Sequence, residues 1–174
     1  MNELTDLIPG RDGASIFLVG FMGAGKSEAG RALALLLGYS FLDLDEVIER
    51  RAGKSIREIF ILSGEQEFRR LETEEIRRLS GLNRSVVALG GGAFQSEGNQ
   101  TLLRASGRTV WLNCPFEVCF TRIKGDESRP LLGDEAATRL LFEQRRVAYA
   151  AADLVVETGN LAAEEIALLI AAKL

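Results

Sequence analysis

The stretch Ser15-Ile16-Phe17-Leu18-Val19-Gly20-Phe21-Met22-Gly23-Ala24-Gly25-Lys26-Ser27 decides the fold. Ser15 to Val19 is a short apolar run that ends at a glycine, the pattern of a buried strand. Lys26 to Leu37 follows as an Ala- and Leu-rich helical segment, stopped by Gly38. Between them, Gly20 to Ser27 satisfies Gly-x-x-x-x-Gly-Lys-[Ser/Thr] in full. About 0.004 chance matches are expected in this composition, before a strand in front and a helix behind are required. The glycines let backbone N–H groups curl round phosphate oxygens, and the helix that follows points its positive end at them. Lys26 brings a point charge to the β- and γ-phosphates, and the Ser27 hydroxyl is a ligand for Mg²⁺. Gly53-Lys54-Ser55 repeats the last tripeptide, but position 48 is Ile48 and no strand precedes it, so it reads as a helix start.

Working outward, apolar runs alternate with helix-period segments along the whole chain. Further strands are expected at Ser40–Leu44, Ser85–Leu89, Thr109–Leu112 and Leu154–Val156. Helices are expected at Asp45–Arg51, Ser55–Leu62, Glu65–Leu79, Gln100–Ala105, Pro115–Ile123, Asp134–Ala152 and Leu161–Lys173, with Asp45 as an N-cap. Such alternation predicts an α/β three-layer sandwich: a five-stranded parallel sheet with helices on both faces. Ligands of these sheets sit at the carboxyl ends of the strands. The 174 residues suit one domain. Its parts are a lead-in at 1–14, a nucleotide-binding core at 15–44 and 85–123, an acceptor segment at 45–82, a polar loop at 124–133, and C-terminal helices with the last strand at 134–174.

Composition limits the chemistry. There is no histidine, so His general bases, His-assisted nucleophiles and His-bound metals are excluded. The net charge of −4 argues against a nucleic-acid partner. No apolar run approaches the roughly 20 residues of a membrane span, and a cytoplasmic protein is expected. Cys114 and Cys119 have no zinc spacing and read as reduced thiols in apolar space.

Candidate residues for the acceptor side follow the strands. Alternation places Asp43 and Asp45 on one side of the second strand's end, one carboxylate toward Mg²⁺ and one toward an acceptor hydroxyl. Arg69 borders the apolar stripe of its helix, with Glu72 as its i+3 partner. Gly90-Gly91-Gly92 gives up strand and helix propensity so that a ligand can approach the backbone. Arg129, in the polar loop, is placed to close over a transferring phosphoryl group.

The set Gly20–Ser27, Asp43-Leu44-Asp45, Gly64-Glu65 with Phe68-Arg69 and Glu72, Gly90-Gly91-Gly92, Arg129-Pro130-Leu131-Leu132 and Arg145-x-x-x-Tyr149 resembles the shikimate kinase family. The resemblance implies a P-loop, nucleoside-monophosphate-kinase-like architecture with a lid loop. It implies transfer of the γ-phosphoryl of ATP to the 3-hydroxyl of shikimate. Catalytic roles then fall to Lys26, Asp45 and Arg129. Nucleotide would be held by Gly23, Ala24, Gly25, Lys26, Ser27, Glu28, Arg122 and Arg129, with Arg122 stacked on adenine. Shikimate would be held by Asp45, Phe60, Phe68, Arg69, Gly90, Gly91, Gly92 and Arg145. One Mg²⁺ per subunit would be supported by Ser27 and Asp43, and a monomer is expected. Glu28 departs from the family, which usually has threonine there; its carboxylate is expected to turn outward. The 157–161 loop lacks proline, and no adenine contacts are assigned to it. Two alternatives are a kinase for another polyol acid such as gluconate, and a nucleotide-binding regulator without catalysis. The Arg69/Arg145 pair and the triple glycine speak against the first, and Lys26, Asp45 and Arg129 together against the second.

Overall fold

The computed structural model describes residues 13–124 and 134–174. Five parallel strands form one sheet in the order β2-β3-β1-β4-β5. They are β1 (Ser15–Val19), β2 (Ser40–Asp43), β3 (Ser85–Ala88), β4 (Gly107–Asn113) and β5 (Leu154–Glu157). The helices are α1 (Lys26–Leu37), α2 (Leu44–Ala52), α3 (Ile56–Leu79), α4 (Glu97–Ser106), α5 (Phe116–Ile123), α6 (Glu135–Tyr149) and α7 (Ala163–Ala171). The first crossover runs to the left of β1 and the later ones to the right. Right-handed connections therefore put α1 on one face and α3 to α6 on the other. The last helix, α7, packs on α1 and completes the first layer. The chain thus has the expected three layers, and its strand order reverses beside β1, where a ligand crevice opens.

β1 is buried on both faces, as a central parallel strand must be. Its Phe17 and Leu18 are fully enclosed. They pack into one core with Leu33 of α1, Ile76 of α3 and Ile170 of α7. Cys114 and Cys119 are free thiols buried in that core. Among the described residues no helix is long and apolar enough to cross a membrane.

Several boundaries differ from the sequence reading, each for a local reason. Strand β2 ends at Asp43, whose side chain caps α2 by accepting from the Asp45 amide at 3.1 Å. Asp45 is therefore the second helical residue and not the cap. Ser55 and Glu58 form a reciprocal capping box, as the Gly-Lys-Ser helix start implied. The two expected helices at 55–62 and 65–79 run as one element, α3, broken at Gly64 with φ 81° and ψ 170°, a conformation that favours glycine. A 3₁₀ turn at Ala93–Gln95, after the triple glycine, has no counterpart in the expected elements. The lid arginine Arg129 and all but Lys124 of the 124–133 loop lie outside the described residues, as does most of the lead-in.

Gly30 shows how tightly α1 sits on the sheet. A Cβ built there meets the Phe41 ring at 2.5 Å and Leu18 at 3.2 Å. Helix propensity alone would make Gly30→Ala stabilising by about 0.5–1 kcal/mol. Overpacking against an aromatic ring reverses the sign, and a net loss of about 1–2 kcal/mol is expected, measured by urea unfolding.

Candidate active site

The phosphate loop leads from β1 into α1, with Gly23 and Gly25 at φ 78° and 86°. Lys26 Nζ donates to the carbonyls of Gly20 at 2.9 Å and Phe21 at 2.8 Å, which fixes its charge within the loop's curl. Ser27 Oγ donates to Asp43 Oδ2 at 2.6 Å. Since Asp43 Oδ1 accepts from the Asp45 amide, one carboxylate joins the phosphate loop to the start of α2. Asp45 is thus delivered by the first turn of a helix, not by strand alternation. Glu28, in the first turn of α1, is exposed and lines the cavity described below.

The turn after β3 shows what three glycines allow. A Cβ on Gly90 would meet Asp45 Oδ1 at 2.9 Å and Glu72 Oε1 at 3.2 Å. On Gly91 it would meet an Arg145 guanidinium nitrogen at 2.9 Å, and on Gly92 the Arg69 guanidinium at 2.5 Å. Site side chains from α2, α3 and α6 occupy the volume that side chains here would take. The expectation of close backbone approach is thereby refined: the room is filled by the chain's own functional groups.

Those groups are unevenly balanced. Arg69 is held by Glu72 at 2.9 Å and Glu65 at 3.2 Å. Arg145 is only 5% exposed. Among the described residues it has no ion pair with a carboxylate, and it lies 5.7 Å over the Phe21 ring. Burial pushes its pKa below the ordinary value; Arg69 adds to this, while Tyr149 and Glu72 oppose it. A buried, unneutralised guanidinium beside a second one is an anion site in waiting. Glu72 is 1% exposed. Burial pushes its carboxyl above 4.5, helped by the charge of Asp45 and opposed by Arg69 and Arg145. Phe60 and Phe68 stand beside these groups with ring centroids 4.9 Å apart.

The candidate residues converge on one cavity of about 980 Å³, at the upper end of small-molecule sites. It takes in Gly23, Gly25, Lys26, Ser27, Glu28, Asp43, Asp45, Phe60, Phe68, Arg69, Gly90, Gly91, Gly92, Arg122 and Arg145. Of the described candidates only Ala24 is outside the lining, being fully buried beneath the loop. Arg122 bridges two segments, donating to Gly23 O at 3.1 Å and Gly159 O at 3.3 Å. That contact, together with Leu161 in the lining, brings the 157–161 loop to the nucleotide end of the cavity, where the sequence offered no recognisable signal.

A family model for shikimate kinase matches residues 22–174. The chain belongs to the shikimate kinase family. It is 49% identical over 158 residues to the shikimate kinase of Geobacter sulfurreducens, covering 89% of this chain and 87% of that one. Among solved structures it resembles the shikimate kinase of Acinetobacter baumannii in complex with shikimate, with TM-score 0.87, 40% identity and 90% of each chain covered. The shikimate kinase of Aquifex aeolicus superposes with TM-score 0.81 at 37% identity, covering 91% of this chain and 96% of that one. A gluconokinase from Sinorhizobium meliloti shares the fold alone, at 17% identity and TM-score 0.56.

The raised Glu72 carboxyl gives this shikimate kinase a pH signature. Glu72→Gln is an isosteric, non-titrating replacement. Well below pH 4.5 both forms are essentially neutral at this position in the folded and the unfolded chain. As pH rises through the raised folded value, the wild type must bury a charge that its unfolded chain carries more readily, and it loses stability that the variant keeps. The melting temperature of the variant minus that of the wild type should therefore climb as pH rises above 4.5, read by thermal melts.

Proposed function

We propose a division of labour among this chain's residues for the shikimate kinase reaction, in which the γ-phosphoryl group of ATP passes to the 3-hydroxyl of shikimate. The observation that carries it is the pairing of Arg69 and Arg145 across the triple glycine with Asp45 beside them. Two guanidiniums facing neighbouring glycines suit a planar carboxylate, which each reads with paired N–H donors. Grip on the carboxylate leaves the ring hydroxyls facing α2 and the phosphate loop. Phe60 and Phe68 wall the ring, and the backbone of Gly90 to Gly92 meets its polar edge. Asp45 orients the acceptor hydroxyl and takes its proton.

On the donor side, the amides of Gly23 to Ser27 cradle the phosphates, and Lys26 neutralises charge on the β- and γ-groups. Arg122, anchored between Gly23 and Gly159, stacks on adenine. Arg129 is assigned to the transferring phosphoryl group on the family resemblance. Ser27 and Asp43 offer a hydroxyl and a carboxylate oxygen 2.6 Å apart. Both are hard oxygen donors, which fits a Mg²⁺ that arrives on the nucleotide and keeps phosphate and water ligands. Bound there, Mg²⁺ would offset charge on the phosphate oxygens. Carboxylate, ammonium and guanidinium groups suffice for the rest, since phosphoryl transfer asks for positioning and charge more than covalent help. We assign segments 15–44 and 85–123 to nucleotide binding, 45–82 to the acceptor and 124–133 to the lid, in a cytoplasmic monomer.

In a coupled ADP-release assay with Mg-ATP, shikimate should support turnover far above gluconate. Equal turnover on the two acids would defeat the assignment. Asp45→Asn should bind shikimate within about threefold of wild type and lose at least roughly 100-fold in kcat. A near-normal kcat would remove Asp45 from the proton transfer.

A further inference from the structure

Tyr149 is 1% exposed, lies one helical turn after Arg145, and takes no part in the roles given above. Its hydroxyl donates a short hydrogen bond to the carbonyl of Gly91. Its ring stands 6.0 Å from that of Trp111, the chain's single tryptophan.

The bond to Gly91 completes a pattern in the turn. The Gly90 carbonyl accepts from the Ala93 amide at 3.1 Å, and the Gly92 carbonyl accepts from the Gln95 amide at 3.0 Å. Those two bonds are local and belong to the turn itself. The Gly91 carbonyl alone is held from another element, by Tyr149 of α6. All three carbonyls are thus engaged, while the amides of Gly91 and Gly92 donate to no acceptor among the described residues. The peptide between Gly91 and Gly92 is trans, so its N–H points opposite to its C=O. A carbonyl drawn toward α6 sends the Gly92 N–H away from α6, and Gly92 lines the cavity. With two glycines and no side chain to set the peptide's rotation, something external must choose its orientation.

We infer that Tyr149 is a positioning residue for shikimate: by holding the Gly91 carbonyl it aims the Gly92 amide into the acceptor cavity, next to the glycine that the Arg145 guanidinium faces. This rests on the reading of the cavity as the shikimate site. Tyr149 touches neither substrate, and it fixes a donor that does. The nucleotide end of the cavity is built from other elements, so the effect falls on one substrate only.

Tyr149→Phe removes one oxygen and keeps the ring. Its shikimate KM should rise roughly tenfold, the effect of one misaligned buried hydrogen bond, with kcat and the ATP KM within about twofold of wild type. Trp111 fluorescence in a shikimate titration should show the same rise in Kd. Trp111→Phe perturbs the same packing without touching Gly91, and its shikimate KM should stay within about twofold. In the wild-type protein, hydrogen exchange at the Gly92 amide should slow on adding saturating shikimate. An unchanged shikimate KM in Tyr149→Phe overturns the inference. So does an equal rise in both substrates' KM, an equal effect from Trp111→Phe, or an unprotected Gly92 amide. Failure of the site reading itself would show separately, as absence of shikimate turnover in the wild type.

Discussion

The carboxylate of Asp43 is the constraint on which the site depends. One oxygen accepts from Ser27 in the phosphate loop, and the other caps α2 and so sets the place of Asp45. The group that closes the donor side is thereby the group that starts the acceptor helix. A charge-assisted cap of this kind contributes about 1 kcal/mol to the helix. Its larger consequence is geometric: Ser27 and Asp45 cannot drift apart without breaking a bond at Asp43. Further along, Arg51 bonds the buried Glu75 at 3.0 Å and ties the end of α2 to α3, which carries Arg69 and Glu72. The acceptor elements form a chain of clips that begins at the phosphate loop.

Charge in the cavity is held in tension by design of placement. Glu72 neutralises Arg69 while its own burial opposes ionisation, and Arg145 is buried with a second cation nearby. Each condition is unfavourable for the isolated charge, and in the proposed reading an acceptor carboxylate would relieve it. Stability and recognition therefore draw on the same residues in opposite directions, as is common where a site is preorganised. The absence of histidine fits this scheme, because none of the assigned roles needs a group that titrates near neutrality.

Much of this was legible in the residues. The strand, loop and helix from Ser15 to Leu37 follow from an apolar run, a glycine pattern and a helical period that reinforce one another. Arg69 with Glu72 was readable from i+3 spacing, and the triple glycine from its cost in propensity. Other features were hidden because they depend on contacts distant in sequence. Asp45 reads as a cap, since two aspartates two residues apart compete for that position and only packing against Ser27 favours Asp43. The volume over Gly90 to Gly92 belongs to residues 18 to 54 positions away. Arg122 reaching Gly159 joins segments 37 residues apart, with no local pattern to announce it. The bond from Tyr149 to Gly91 spans 58 residues and leaves no mark in either segment.

The break at Gly64 gives α3 two parts with different obligations. Residues 65–79 carry Glu65, Arg69 and Glu72 and are clipped to α2 through Glu75. Residues 56–63 carry Phe60, and their outward side chains Ile61 and Leu62 are 70% and 66% exposed. Nothing lies within 4 Å of a Cβ built on Gly64 itself, so the joint is free of packing demands. The Phe60–Phe68 ring pair therefore spans the break, while the ion pairs of Arg69 lie wholly on one side of it. A change of backbone angle at that one glycine would slide Phe60 across Phe68 while Glu65, Arg69 and Glu72 keep their places.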